Sequence, residues 1–321
     1  MEDARDMDYA LLMPGQGAQE VGMGKDFAAA SVAARRVFER ADEALGMPLS
    51  RLCFEGPLAE LTATDVAQPA IYVTSLAALA ALEEAAGAKL RPALAAGLSL
   101  GEYTALAAAG TLGFEDGLRL VRQRGLAMQR ASAALPSGMS SVLGLERGPC
   151  EAACAQAAAQ TGRICQVANL NSPGQIVVSG ETAALDAFEP LAKAAGARRV
   201  VRLNVAGAFH SEVMRPAARE LERALAGVEF RRPSCPVWQN ATAQPAVAPA
   251  VLREHLAAQL CAPVRWEESF RGMAAAAPAA GFLEPAPGRV LAGLARKIAP
   301  AARVASLHAA AALPALLRST T

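Results

Sequence analysis

The pentapeptide Gly97-Leu98-Ser99-Leu100-Gly101 has the form G-x-S-x-G, which is typical of a serine nucleophile on a sharp turn between a strand and a helix. The residues around it predict a buried strand over 93–98 and a helix over 99–109. Flanking glycines let the backbone double back without a Cβ clash, and a helix N-terminus favours the negative charge of an oxyanion. We therefore expect an acylable Ser99, with the N–H of Leu100 donating to the oxyanion. An ordinary helix N-cap is the alternative.

Three histidines, His210, His255 and His308, are the candidates for the base that a serine hydroxyl needs at neutral pH. His308 lies in an alanine-rich C-terminal stretch, and His255 lies in the middle of a predicted helix. His210 follows a predicted strand, in a loop that opens a helix, where catalytic groups of α/β folds gather. We take His210 as the base, with a purely structural histidine as the alternative.

The third member of a catalytic triad has no obvious candidate. α/β-Hydrolases place Asp or Glu between the serine and the histidine, but Asp186 and Glu189 fall on a separate predicted helix. Glu212 lies too near His210 in sequence to be assigned. The chain therefore predicts a Ser–His dyad, which disfavours an esterase of that fold.

The elements that must position these groups alternate between short apolar strands and helices, which predicts a largely parallel sheet. Residues 9–13 form the first predicted strand, which ends in a Pro-Gly-Gln-Gly turn. Predicted helices of the first part cover 69–86, 99–109 and 114–133, and those of the last part cover 212–225, 250–260 and 289–299.

The order of elements changes after residue 136. Strand-like segments over 141–144, 164–170, 175–179 and 199–203 enclose helices over 149–160 and 182–195. This β-α-β-β-α-β order is ferredoxin-like. We therefore predict an α/β fold in which a hydrolase-like core with a mainly parallel sheet (residues 1–136 and 206–321) carries an inserted ferredoxin-like subdomain (137–205).

Composition excludes several classes of protein. Over 321 residues the net charge is +1, so no basic field indicates nucleic acid, and an apolar fraction of 53% excludes disorder. We find no run of about 20 uncharged apolar residues and no signal peptide, so we expect neither a membrane span nor secretion. The six cysteines lack C-x-x-C spacing, and only Cys150 and Cys154 hint at a metal face. We predict reduced thiols, no metal and a cytoplasmic location.

Short motifs extend the pattern along nearly the whole chain at characteristic spacing. In order they are Pro14-Gly15-Gln16-Gly17-Ala18-Gln19, Val21-Gly22-Met23-Gly24, Ala67-Gln68-Pro69-Ala70, Gly97-Leu98-Ser99-Leu100-Gly101-Glu102-Tyr103, Arg122-Gln123-Arg124-Gly125, Asn171-Ser172-Pro173-Gly174-Gln175, Gly207-Ala208-Phe209-His210-Ser211 and Pro285-Ala286-Pro287-Gly288. With these motifs the chain resembles the malonyl-CoA:acyl carrier protein transacylases of fatty-acid and polyketide synthesis.

The resemblance implies a ping-pong reaction through a malonyl ester of Ser99, with His210 as the base in both halves. It implies an oxyanion site made by the backbone N–H groups of Gln16 and Leu100. In the family a main-chain carbonyl near a helical glutamine orients the histidine, and Gln259 matches that place.

The resemblance also assigns the substrate pocket. Arg124 would bind the free carboxylate of the malonyl group, although most helical arginines only face solvent. Phe209 would fill the space of an α-methyl group and favour malonyl over methylmalonyl. Gln68, Asn171 and Met128 match further pocket positions.

Two positions depart from the family pattern. Leu98 stands where the family usually has a histidine beside the nucleophile, which removes a side-chain hydrogen bond but leaves the dyad. Ala286-Pro287-Gly288 replaces a usual Gly-Pro-Gly, a change that we interpret as structural.

The implied reaction needs no cofactor, because the CoA thioester is the substrate and the phosphopantetheine belongs to the partner. The implied partners are malonyl-CoA and a separate acyl carrier protein, and the implied state is a monomer. A docking surface for an acidic carrier is expected among basic side chains, with an ordinary solvated face as the alternative for most of them: Arg198, Arg199, Arg202, Arg231, Arg232, Arg296 and Lys297. Two alternatives stay open, namely a hydrolase of the same fold that clears acyl groups from carriers, and a non-catalytic scaffold.

Overall fold

Two sheets organise the computed structural model, which describes residues 9–278 and 280–319. The strands of these residues are β1 (Tyr9–Met13), β2 (Leu94–Gly97), β3 (Ser137–Leu143), β4 (Cys165–Ser172), β5 (Gln175–Glu181), β6 (Arg199–Arg202), β7 (Val237–Trp238), β8 (Pro245–Ala246), β9 (Gly281–Pro285) and β10 (Val304–Leu307).

Helices surround both sheets. In the described ranges they are α1 (Lys25–Ala30), α2 (Val32–Leu45), α3 (Leu49–Glu55), α4 (Leu58–Thr62), α5 (Thr64–Ala86), α6 (Gly101–Ala108), α7 (Phe114–Ala133), α8 (Arg147–Thr161), α9 (Thr182–Ala194), α10 (Arg215–Ala226), α11 (Pro249–Ala258), α12 (Trp266–Ala276), α13 (Val290–Ile298) and α14 (Leu313–Ser319). Short 3₁₀ segments cover Glu212–Met214, Gln259–Cys261 and Ala310–Ala312.

The larger sheet has the strand order β10-β9-β1-β2-β7-β8, and all neighbours are parallel except β7 and β8. Every residue of β1 and β2 is buried, as expected of strands covered on both faces. Met13 pairs with Gly97 and Ala96 pairs with Trp238. The carboxyl ends of β1, β2 and β7 therefore lie side by side, and the loops after them open at one edge.

The smaller sheet is antiparallel, with the strand order β4-β5-β3-β6. With α8 and α9 between its strands, it has the ferredoxin-like order and a core of its own, which includes Val142, Leu185 and Phe188. The predicted α/β class, a mostly parallel sheet with a second antiparallel one, is confirmed. The division at 136/137 and 205/206 stays a prediction; β3 begins at Ser137 and β6 ends at Arg202.

Several predicted element bounds were wrong. The helix predicted over 69–86 begins at Thr64 and contains Pro69, because tertiary burial of α5 outweighs the hydrogen bond that proline cannot donate. The helix predicted over 212–225 is a 3₁₀ turn followed by α10, and the helix predicted over 250–260 gives way to a 3₁₀ turn at Gln259. Residues 25–62, which received no assignment from sequence, form α1 to α4.

Three observations bear on the expectations about membrane spans, cysteines and a signal peptide. One described helix, α5, is long and apolar enough to cross a membrane, but 83% of its most apolar window is buried inside the protein. Cys150 and Cys154 lie in the core of the smaller sheet, and no cluster of three metal-binding side chains occurs in residues 9–278 and 280–319. Residues 1–8, on which the absence of a signal peptide depends, lie outside the described residues.

Candidate active site

Ser99 lies on the turn between β2 and α6, with a backbone φ of 54°, in the left-handed region. This conformation costs a non-glycine residue roughly 1–2 kcal/mol, so the surroundings must hold it. The turn is tight: a Cβ on Gly97 would lie 1.9 Å from the carbonyl carbon of Gly101, and one on Gly101 would lie 2.1 Å from the oxygen of Met13. Only glycine fits at either position, which explains the spacing of the motif.

The side chains of Ser99 and His210 are in contact. Ser99 Oγ lies 2.7 Å from His210 Nε2, and His210 Nδ1 lies 3.0 Å from the main-chain oxygen of Gln259. Because a carbonyl can only accept, Nδ1 carries the proton and Nε2 is left to accept from the hydroxyl. No carboxylate among the described residues touches the ring, and the arrangement is a dyad oriented by a backbone carbonyl.

His210 is buried, with 4% of its surface exposed, and its φ of 57° is also left-handed. Burial, followed by the positive charge of Arg124, lowers the pKa of His210 to about 4. The imidazole is therefore neutral at physiological pH, which is the form that a general base requires. Of the other histidines, His255 lies in α11 and His308 bonds Arg289, and neither lines the cleft described below.

Arg124 projects from the buried face of α7 and is only 1% exposed. Its Nη1 donates to Gln68 Oε1 at 2.8 Å, and its Nη2 donates to Ser99 Oγ and to Gln259 Oε1, both at 3.0 Å. All three acceptors are neutral, and burial lowers the pKa of the guanidinium from its ordinary value. The site thus holds a buried cation with no bonded anion.

Gly125 explains how Arg124 and Gln68 meet. A Cβ at this position would lie 2.6 Å from the backbone oxygen of Thr64, so the glycine lets α7 pack directly on the first turn of α5. Gln68 is wholly buried on α5, and its Nε2 also donates to Met128 Sδ at 3.3 Å. It therefore supports Arg124 from behind and does not line the cleft.

The backbone N–H groups of Gln16 and Leu100 lie on neighbouring loops. Gln16 follows β1, and Gly15 approaches the nucleophile turn so closely that a Cβ would lie 2.4 Å from the oxygen of Leu98. Neither N–H has an intramolecular acceptor in the described part of the chain. Two unpaired donors beside Ser99 fit the predicted oxyanion site, and that role stays a prediction.

A cleft of about 580 Å³ leads to Ser99 and His210. The catalytic side contributes Gln16, Leu98, Met128 and Phe209, while Asn171 belongs to β4 of the smaller sheet. Asn171 Oδ1 is buried without a partner in the described residues. Of the predicted pocket residues, Phe209, Met128 and Asn171 thus line the cleft.

Two residues that sequence reasoning left without a role complete the site. Asn240 follows β7 and bonds both sides of the nucleophile turn, to Ser99 N–H at 2.6 Å and Gly97 O at 2.7 Å. Glu102 is fully buried beside Gln259, and burial raises its pKa to about 7. Glu102 could have been noticed as a charged residue inside an apolar stretch, whereas Asn240 is revealed only by the pairing of β2 with β7.

The lowered pKa of His210 can be tested by NMR titration. The ring C2 proton of His210 in the free protein should not titrate between about pH 8 and about pH 5.5, because burial and Arg124 disfavour the charged ring. NMR titration measures this, and His210→Ala assigns the signal. Arg124→Ala should raise the pKa, whereas Arg119→Ala, on the exposed face of the same helix, should not. A wild-type midpoint near the ordinary value of about 6.5 would contradict the electrostatic account.

Comparison with known proteins gives a consistent result. The acyl transferase domain family matches residues 11–320. The malonyl CoA-acyl carrier protein transacylase of Bacillus subtilis strain 168 is 42% identical over 289 residues, which cover 90% of each chain.

Solved structures agree in fold as well as in sequence. An acyl carrier protein S-malonyltransferase from Vibrio cholerae superposes with a TM-score of 0.90 at 37% identity, covering 96% of this chain and 99% of that one. A malonyl-transacylase solved in complex with a type II polyketide synthase acyl-carrier protein superposes with a TM-score of 0.89 at 36% identity, covering 97% and 99%.

Proposed function

We infer the function of this chain from the family to which it belongs, the acyl transferase domain family, in which its relatives are malonyl CoA-acyl carrier protein transacylases. The chain transfers the malonyl group of malonyl-CoA to the phosphopantetheine thiol of an acyl carrier protein, for fatty-acid or polyketide synthesis. One observation carries the proposal: Ser99 Oγ lies 2.7 Å from a neutral imidazole and 3.0 Å from a buried guanidinium. A nucleophile, its base and a cation for a carboxylate thus meet at one atom.

In the first half-reaction, Ser99 Oγ attacks the thioester carbonyl while His210 Nε2 takes the hydroxyl proton. The carbonyl oxygen becomes an oxyanion, and the N–H groups of Gln16 and Leu100 donate to it. When the tetrahedral intermediate collapses, the carbon–sulfur bond breaks. The CoA thiolate leaves and takes the proton from His210, and the malonyl group remains as an ester on Ser99.

In the second half-reaction, the thiol of the carrier's phosphopantetheine gives its proton to His210 and attacks the ester. The same two N–H groups hold the oxyanion, and Ser99 Oγ leaves with the proton from His210. We propose that no resident cofactor takes part, since both sulfur atoms belong to the substrates. All the proposed catalytic groups come from one chain, which supports a monomer as the acting unit.

Arg124 is the proposed ligand of the malonyl carboxylate. A carboxylate buried without a partner is strongly disfavoured, and a guanidinium can hold it through two charge-assisted hydrogen bonds. The present acceptors of Arg124, on Gln68, Gln259 and Ser99, are neutral, so no protein carboxylate competes directly for its N–H groups. This buried cation disfavours the hydrolase alternative, because a site for neutral acyl chains has no use for it.

Phe209 and Asn171 are proposed to set selectivity in the cleft. Phe209 lines the cleft and is 6% exposed, and its backbone oxygen accepts from Ser179 Oγ, which fixes the main chain at this position. A bulky ring in the cleft favours malonyl over methylmalonyl by about 10–200-fold, the usual effect of one methyl group. The unpartnered Oδ1 of Asn171 supports a contact with a polar group of the substrate.

The proposed function is tested by intact mass after brief incubation with malonyl-CoA. We expect a malonyl adduct on the wild type that Ser99→Ala lacks and that a holo-carrier protein discharges. An adduct lost to water equally fast with and without carrier would support the hydrolase. No adduct from malonyl-CoA, but one from acetyl-CoA or longer acyl-CoA, would show that the role of Arg124 is wrong.

Arg124→Ala should lower kcat/KM for malonyl-CoA by about 100-fold or more, since two charge-assisted hydrogen bonds are lost. Loading from acetyl-CoA, which has no carboxylate, should persist. Loading rates with both thioesters measure the change. Arg119→Ala is the matched control on the same helix and should stay within about twofold of the wild type, as exposed pairs contribute little. Unchanged malonyl preference in Arg124→Ala would overturn the assignment.

The docking surface for an acidic carrier is proposed to lie around α13. Lys297 Nζ bonds Gln175 on the rim of the cleft, and Arg296 is exposed beside it. Arg202 and Arg231 are engaged in ion pairs with Asp186 and Glu229. Charge reversal at Arg296 and Lys297 should raise KM for the carrier and flatten its salt dependence. Unchanged carrier kinetics would refute this surface; Arg119→Glu is the control for net charge.

We further propose a cytoplasmic location. The burial of α5 inside the protein supports it, as do the reduced thiols of all six cysteines.

A further inference from the structure

Glu102 is a fully buried carboxyl group one turn beyond Ser99, on α6. Its Oε2 accepts two hydrogen bonds, from the backbone N–H of Asn240 and from Gln259 Nε2, both at 2.9 Å. Its Oε1 has no partner in the described residues. A single oxygen of this side chain thus joins two residues that are 19 positions apart in sequence and belong to different elements.

The first of these residues, Asn240, holds the nucleophile turn. Its Oδ1 accepts from the N–H of Ser99 at 2.6 Å, and its Nδ2 donates to the oxygen of Gly97 at 2.7 Å. The amide therefore bridges the two sides of a turn whose central residue is in the left-handed region. Because that conformation is unfavourable by itself, the direction of Ser99 Oγ depends on this bridge.

The second residue, Gln259, connects the other groups of the site. Its Nε2 also donates to the oxygen of Ser99 at 3.0 Å, and its Oε1 accepts from Arg124 Nη2 at 3.0 Å. Its main-chain oxygen accepts from His210 Nδ1. Any rotation of the Gln259 amide would therefore release Arg124 and disturb the turn together.

Burying a carboxyl group with an unpartnered oxygen carries a large desolvation penalty. Burial disfavours its charge and raises its pKa to about 7, and an aliphatic side chain of similar volume would avoid this penalty. A buried, partly unsatisfied polar group in a native protein therefore indicates a functional role. The contacts of Glu102 indicate what that role is.

We propose that Glu102 is a positioning residue, which through Asn240 and Gln259 keeps the nucleophile Ser99 in register with the carboxylate-binding Arg124. Glu102 touches none of the reacting atoms. It acts on rate through both residues, because Asn240 and Gln259 each bond the turn at Ser99, and on the choice of acyl group through Gln259, which also bonds Arg124. The inference rests on the proposed malonyl transfer, since the preference for malonyl over acetyl is its distinguishing readout.

The test compares two substitutions of Glu102. Glu102→Met fills the same volume without an acceptor; we expect kcat/KM for malonyl-CoA to fall by about 100-fold, the usual effect of misplacing a reacting group. The preference for malonyl-CoA over acetyl-CoA should fall by about tenfold, because Arg124 loses a fixed acceptor. Glu102→Gln offers an amide oxygen in place of Oε2 and should restore both quantities to within about threefold of the wild type.

Two further variants separate positioning from general destabilisation. Ser75→Ala removes a buried hydrogen bond from α5 to the oxygen of Ala286, outside the site, and should lower Tm without changing the malonyl preference. Asn240→Ala removes the side-chain bridge across the turn but keeps the backbone N–H from which Glu102 Oε2 accepts, and it should slow loading from both thioesters equally. This variant tests the Asn240 step of the inference if Glu102→Met does not fold.

The inference is overturned if folded Glu102→Met keeps the wild-type rate and preference, or if Glu102→Gln is as impaired as Glu102→Met. It is also overturned if Asn240→Ala loads both acyl groups at the wild-type rate. Failure of the proposed function is a separate outcome: the wild type itself would then form no malonyl ester on Ser99.

Discussion

The burial of the Arg124 guanidinium behind the nucleophile is the constraint on which the rest of the site depends. A buried cation is strongly disfavoured unless its N–H groups are bonded, and here neutral oxygens of Gln68, Gln259 and Ser99 accept from Nη1 and Nη2, while Nε has no partner in the described residues. Its charge also acts on His210, where together with burial it lowers the pKa and keeps the ring neutral, the form that can accept a proton. One interaction therefore serves both the proposed binding of an anionic acyl group and the protonation state of the proposed base.

The fold meets this constraint by bringing the loops that follow several strands together at one edge of the larger sheet. Gln16, Ser99 and Asn240 each follow one of three adjacent parallel strands, so their loops meet without long excursions. Gly125 lets α7 pack closely on α5, which places Arg124 against Gln68. The smaller sheet contributes Asn171 to the opposite wall of the cleft. Ser99 therefore lies at the edge of the larger sheet, and the smaller sheet helps to enclose the cleft that leads to it.

No carboxylate lies beside His210 in the described residues, because a backbone carbonyl takes the place that an acid has in a triad. A serine hydrolase triad uses an acid to hold the imidazole tautomer, whereas here the carbonyl of Gln259 does so. That carbonyl is available because α11 ends at Ala258 and continues as a 3₁₀ turn. The buried acid of the site, Glu102, is bonded to Gln259 instead and acts one step further from the chemistry.

The sequence by itself determined the class of fold and which side chains are the candidates for the chemistry. Gly97, Ser99 and Gly101 are recognisable because a strand–turn–helix junction of this tightness admits glycine alone on either side, which is a local requirement. The ferredoxin-like insertion was readable because its period-two strands and helices alternate in a known order. Only the tertiary structure decided that Asn240 holds the turn, that Gln68 lies behind Arg124, and that α5 runs through Pro69. Each of these depends on contacts between residues far apart in the chain, for which local propensity and spacing carry no signal.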